Sequence, residues 1–213
     1  MPRTRPPFLL CSDQLRVPHQ RLRLNLKVGR EARKLIHDTI CGLPDLFGSP
    51  ICIRTLPELT VWRGALLTGE PYGTAVHAAS FIRRREIVLE DELVSRPAEF
   101  RLIFAHELFH FVWARLGNRI RTDFSSLLQA ERKLGATGAL GESSDVSRTR
   151  IKRQPGGSIH PRRWADYACE SFCDTGAWLY AGPTRSRWFT LARGHRSARR
   201  TWFERVASAG LRA

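Results

Sequence analysis

His106, Glu107 and His110, in the string HELFH, are the residues of this chain whose types and spacing could do chemistry together. Residues i and i+4 share one helical face, so both imidazoles can reach a single metal ion. Glu107 lies about 100° round the helix from His106, close enough to polarise a water at that ion yet offset from the ligands. With seven His in 213 residues, chance alone gives an HExxH string in roughly one chain in a hundred. The surroundings of the string must decide.

Those surroundings are PAEFRLIFAHELFHFVWARL, Pro97 to Leu116. Pro97 suits a first helical turn, with Ser95 as N-cap and Glu99 near the positive end. Gly117-Asn118 reads as the stop. Between them Phe100, Leu102, Ile103, Phe104, Leu108, Phe109, Phe111, Val112 and Trp113 cover nearly every direction, and a helix apolar all round is a buried one. After Arg101 only His106, Glu107 and His110 interrupt the interior of that pattern, on one arc. A lone buried His is usually a satisfied core residue. Two His and a carboxylate on one arc call for a compensating cation, because an unpaired buried carboxylate costs several kcal/mol.

A catalytic zinc site keeps three protein ligands and one open position for water. The metzincin continuation is excluded: Trp113 stands where its Gly would be and Leu116 where its last His would be. The next acidic residues on a helical pattern lie in RRWADYACESFCDTGAWLY, Arg162 to Tyr180, where Asp166, Glu170 and Asp174 form a stripe at i, i+4 and i+8. By residue type alone that stripe is equally a solvated or ion-paired face. Asp166 is a reserve ligand. Cys169 and Cys173, one turn apart, could close an inert structural site with the two His, although buried Cys mostly acts as a small hydrophobe.

HELFH followed by Glu170-x-x-x-Asp174 resembles the gluzincin pattern, and within it the ImmA/IrrE-type bacterial metallopeptidases. Their later helix reads E-x-x-A-[ND]-x-F-A-x-x-L-L-x-P. ESFCDTGAWLYAGP is similar at Glu170, Asp174, Ala177 and Pro183, and departs at Cys173, Gly176 and Tyr180-Ala181. The resemblance spans roughly Ile87 to Pro183. It implies that Glu170 completes a Zn²⁺ site with His106 and His110, and that Asp174 orients a ligand His through its other ring N–H. It also implies an α+β fold, with a small zincin-like sheet packed on the buried HExxH helix and on a second metal-bearing helix. One sheet edge would then hold an extended peptide by strand addition, and Val76 to Ile82 is the suspected strand.

The rest of the chain must position these residues. Residues 1–28 read as a basic Pro/Arg-rich arm with at most a short strand, 29–183 as the metallopeptidase domain, and 184–213 as a basic aromatic extension. Gly29 to Cys41 has helical periodicity. Ile51 to Ile53, Val61 to Leu67, Thr74 to Ile82 and Glu86 to Leu89 are strand candidates, the last two forming a hairpin across Arg83-Arg84-Arg85. Residues 118–163 form an insertion, with a short helix at Phe124 to Leu134 and a mobile loop at Ala136 to Pro161. Trp202, Phe203 and Val206 indicate a further amphipathic helix in the tail.

Five unevenly spaced Cys give no disulfide framework and fit reduced thiols in a cytoplasm. No apolar run has transmembrane length. The net charge is +15, and all but Lys27, Lys34, Lys133 and Lys152 of its 35 basic residues are Arg. Such a surface attracts nucleic acid or acidic proteins. The expectation is a cytoplasmic zinc metallopeptidase acting on a protein or peptide, with Glu107 as general base on a water at the metal and Tyr167, Tyr180, His160 or His195 as oxyanion donor. The competing expectation is a metal-stabilised regulatory or nucleic-acid-binding protein with little turnover.

Overall fold

The computed structural model describes residues 13–15, 20–70, 72–152, 159–182, 185–208 and 210–213. Most of the basic N-terminal arm, residues 153–158 of the expected loop, and Pro183 of the later motif lie outside the described residues. In chain order, strands β1 (Asp13–Leu15) and β2 (Leu24–Lys27) precede helix α1 (Arg30–Cys41). Seven strands follow: β3 (Leu46–Phe47), β4 (Ile51–Leu56), β5 (Leu59–Trp62), β6 (Ala65–Thr68), β7 (Thr74–Ala75), β8 (Ala78–Phe81) and β9 (Glu86–Glu90). Then come α2 (Pro97–Arg115), α3 (Asn118–Lys133), α4 (Glu142–Lys152), α5 (Pro161–Tyr180), α6 (Arg193–Ala207) and β10 (Leu211–Arg212). The fold is α+β.

Five strands form the main sheet in the order β1-β2-β4-β9-β8, with β2, β4 and β9 parallel and both outer strands antiparallel to their neighbours. The parallel step from β2 to β4 needs a crossover, and α1 supplies it, burying Ala32, Leu35, Ile36 and Ile40. Leu22, Leu24 and Leu26 alternate and are buried, so a segment expected to hold at most one short strand contributes an inner strand, with β1 beside it. The expected hairpin forms between β8 and β9, from Ala78↔Leu89 to Phe81↔Glu86, and Arg85 closes its turn at φ 55°. Val61 to Leu67 is not one strand. Arg63 and Gly64 take left-handed conformations there, a two-residue turn that folds β5 onto β6.

Helix α2 is buried as its all-round apolar pattern predicts. It packs against β8 and β9, against α1, and most extensively against α5. Ser95 does not cap it: its hydroxyl donates to the Glu92 carbonyl, and Arg96 pairs with Glu99 across the first turn. Gly176 lets α5 lie close, because a Cβ there would fall 2.6 Å from the Phe109 ring. Phe109, Phe124, Phe172, Trp202 and Phe203 then form one aromatic cluster joining α2, α3, α5 and α6. Tail helix α6 is thereby part of the core, and β10 pairs in parallel with β3.

The insertion differs from expectation. Helix α3 begins at Asn118, directly after α2, and residues 142–152 of the predicted mobile loop are helix α4, packed on α5. Its sequence, ESSDVSRTRIK, is poor in strong helix formers. Docking on α5, with Ser144, Ser147 and Ile151 buried, supplies what local propensity does not. Several arginines likewise serve the fold: Arg85 lies over Phe111, Arg121 over Trp113 and Arg200 over Trp178.

Candidate metal centre

Helix α2 presents His106 and His110 toward α5, and α5 presents Glu170 and Asp174 in return. The Nε2 atoms of the two imidazoles are 3.1 Å apart. Glu170 Oε2 lies 3.2 Å from Nε2 of His106 and 3.9 Å from Nε2 of His110. A tetrahedral ion with bonds of about 2.0–2.1 Å holds neighbouring ligand atoms about 3.3 Å apart; the two separations from His106 match this, and the 3.9 Å between His110 and Glu170 is longer.

At His106 the outer contact favours one nitrogen over the other. His106 Nδ1 meets Asp174 Oδ1 at 2.7 Å, leaving Nε2 with its lone pair toward Glu170. Asp174 is itself held, its Oδ2 accepting the Ser144 main-chain N–H at 2.8 Å in the first turn of α4. His110 Nδ1 faces the Cys169 thiol at 3.4 Å. With both Nε2 atoms deprotonated, two imidazole lone pairs and a carboxylate converge on one point. That arrangement is repulsive unless a proton or a metal cation sits among them.

The charges express the same demand. Burial pushes the His106 imidazolium down, but the Asp174 charge and hydrogen bond, with Glu170, outweigh it and raise His106 well above its usual range. Burial raises Glu170 and Asp174, and in each the facing His106 outweighs it and holds the carboxyl below its ordinary value. The hydrogen bond from Cys173 to Cys169, opposed by burial and helped by His110, brings the Cys169 thiol down to about 6.

Two overlapping groups of donors lie within 4.8 Å of one another: His106, His110 and Cys173, and His110, Cys169 and Glu170. Glu170 meets the ring nitrogens that face each other, whereas Cys169 meets the opposite nitrogen of His110. His106, His110 and Glu170 are the three sequence-expected ligands, and the structure brings them together. Asp166, the reserve ligand, is exposed on α5 and takes no part in these contacts.

Glu107 points into a cleft of about 660 Å³ lined by Val76, His77, Ala78, Leu102, Ile103 and Trp188, among others. Its Oε2 accepts a hydrogen bond of 2.5 Å from the Ser80 hydroxyl, on β8. Strand β8 is the outer strand of the sheet on this side. Glu90 N–H donates to the His77 carbonyl, so residues 77, 79 and 81 turn their main chain toward β9, and Ala78 and Ser80 turn theirs outward. No main-chain partner meets that outward side among the described residues. Tyr167, Tyr180, His160 and His195 do not line the cleft. His77 does, with its Nδ1 2.6 Å from Glu90 Oε2.

Sequence reasoning missed Ser80, His77, Gly141 and Ser144. A His and a Ser three apart on a suspected edge strand were a usable signal for the first two. Ser144 acts through its main-chain N–H and Gly141 through the lack of a side chain, which residue type does not display. A Cβ on Gly141 would fall 2.1–2.3 Å from the Asp174 carboxylate. The Gly141→Ala protein should therefore bind metal about 10- to 100-fold more weakly, as loss of an outer-shell contact does. Competition against a chelating indicator reads this, and parent-like affinity would show that Asp174 does not orient His106.

No protein family, curated protein or solved structure matches this chain.

Proposed function

We propose that this chain is a zinc-dependent metallopeptidase of the gluzincin type, hydrolysing peptide bonds in a protein or peptide. The observation that carries the reading is the convergence of His106 Nε2, His110 Nε2 and Glu170 Oε2 at 3.1 to 3.9 Å beside a cleft that contains Glu107. Zn²⁺ held there would supply Lewis-acid polarisation of a water and of the scissile carbonyl. Glu107 takes the proton of the attacking water and delivers it to the leaving amine. Ser80 keeps that carboxylate turned toward the cleft. The outward main-chain groups of Ala78 and Ser80 hold the substrate as an added strand. His77, which is held by Glu90 and lines the same cleft, is the imidazole we assign as donor to the developing oxyanion.

The packing of α2 beneath the open edge strand β8, with the third ligand on α5, supports a zincin-like and ImmA/IrrE-like reading. No helix among the described residues is long and apolar enough to cross a membrane. Free thiols at Cys41, Cys52, Cys169 and Cys173 support a reducing, cytoplasmic setting. The test is the metal content of protein purified without added metal, measured by mass spectrometry. About one zinc per chain is expected, falling away on chelation together with cleavage of a quenched-fluorescence peptide library. A folded chain that takes up no metal would reduce HExxH to core residues and end the peptidase reading.

A further inference from the structure

The cleft beside Glu107 has one wall that α2 and β8 do not supply. The segment between α5 and α6 contributes Arg185, Arg187, Trp188 and Phe189 to its lining. Main-chain bonds fix that segment in place. The N–H groups of Thr190 and Leu191 both donate to the Ala139 carbonyl at 2.9 Å, and the Ala139 N–H donates to the Thr190 hydroxyl at 3.0 Å. Arg196, in the first turn of α6, donates to the Phe189 carbonyl at 2.6 Å and also to that of Leu191. A Cβ at Gly138 would overlap the Thr190 main chain, so only glycine admits this crossing.

The chemistry of the cleft changes along its length. Leu102 and Ile103, one turn before His106 and Glu107 on α2, give an apolar lining next to the reacting groups, and Trp188 adds an indole. Of the Arg and Glu residues lining the cleft beyond Glu107, Arg96 is paired with Glu99 at 2.8 Å. Arg185, Arg187 and Glu142 remain, all exposed, and neither arginine meets a carboxylate among the described residues. Two arginines against one glutamate leave that rim positive. The Arg187 guanidinium lies 5.0 Å from the Trp188 ring centroid. Stacking of this kind holds the planar fork and leaves its N–H edge for a carboxylate.

We propose that Arg185, Arg187 and Trp188 select the substrate, favouring segments in which an acidic residue stands beside a large apolar one. Trp188 and the Leu102–Ile103 lining take the apolar side chain, and the arginines take the carboxylate through charge-assisted hydrogen bonds. A basic residue in that place meets repulsion instead, so the wall rejects as well as attracts. Placing these residues on a substrate rests on the metallopeptidase reading; the binding preference itself does not.

Rhodamine-labelled Ala-Ala-Phe-Glu-Ala-Ala and Ala-Ala-Glu-Phe-Ala-Ala, with their Gln and Lys counterparts, are titrated by fluorescence anisotropy at low salt against Glu107→Gln protein, so that turnover does not consume the probe. The better acidic peptide should bind about 3- to 10-fold more tightly than its Gln counterpart, and the Lys peptide more weakly still. Adding Arg185→Gln/Arg187→Gln should abolish that order, and Arg185→Glu/Arg187→Glu should invert it. Arg132→Glu/Lys133→Glu makes the same charge change on exposed residues of α3 that do not line the cleft, and should preserve it. Equal binding of acidic and Gln peptides, an order that the Arg185/Arg187 variants leave intact or the α3 variant equally abolishes, or no binding of any peptide overturns the assignment. Cleavage of the same peptides by the parent protein is scored apart. Ordered binding without cleavage would count against the peptidase reading alone, and cleavage without that order against the recognition wall alone.

Discussion

Glu107→Gln protein is expected to retain its metal at the parent stoichiometry and to hydrolyse peptides about 10²- to 10⁴-fold more slowly, the usual contribution of a general base. The amide keeps the size and the hydrogen bond to Ser80, and Glu107 is not among the atoms that His106, His110 and Glu170 turn toward one another. Only proton transfer is lost. The measurement is kcat on the best cleaved member of a peptide library, with metal content assayed on the same sample. Full-rate cleavage by this variant would sink the assigned mechanism. Loss of metal along with activity would instead make Glu107 a ligand.

The largest effect on stability is expected at Arg199, whose side chain is buried among α3, α5 and α6. Its guanidinium makes a two-pronged contact with Glu131, at 2.9 and 2.7 Å, and reaches the Thr175 hydroxyl at 3.2 Å. Arg199 is 1% exposed and Glu131 4%, so neither charge has water as a fallback. Arg199→Ala leaves the Glu131 carboxylate buried and unpaired, which costs about 3–5 kcal/mol. Replacing the pair together, Arg199→Met with Glu131→Leu, should recover most of that loss, because apolar groups of similar volume remove both desolvation penalties. Urea midpoints for the three proteins check this. A double variant as unstable as Arg199→Ala would show that shape, and not charge pairing, sets the position.

Spacing alone determined the centre of this protein. HELFH inside an apolar helix places two imidazoles on one face whatever surrounds it, because helical periodicity is a local property. The same holds for the β8–β9 hairpin, whose two extended runs flank three consecutive arginines. Leu22, Leu24 and Leu26 also carried a legible period of two, obscured by the Pro- and Arg-rich composition of their segment. From the stripe Asp166, Glu170 and Asp174, periodicity could offer candidates but not a choice. Only the packing of α5 on α2, permitted by Gly176 against Phe109, brings Glu170 and Asp174 to His106 and leaves Asp166 in solvent.

Tertiary structure alone decided the supports. Helix α4 has weak local propensity and exists through its contacts with α5. Its Ser144 N–H and its flanking Gly141 serve Asp174 by a main-chain group and by an absent side chain, neither of which residue type reveals. Ser80 reaches Glu107 only because the sheet sets β8 beside α2. Ligand spacing along one helix is written in the sequence, whereas contacts between elements depend on how closely those elements approach.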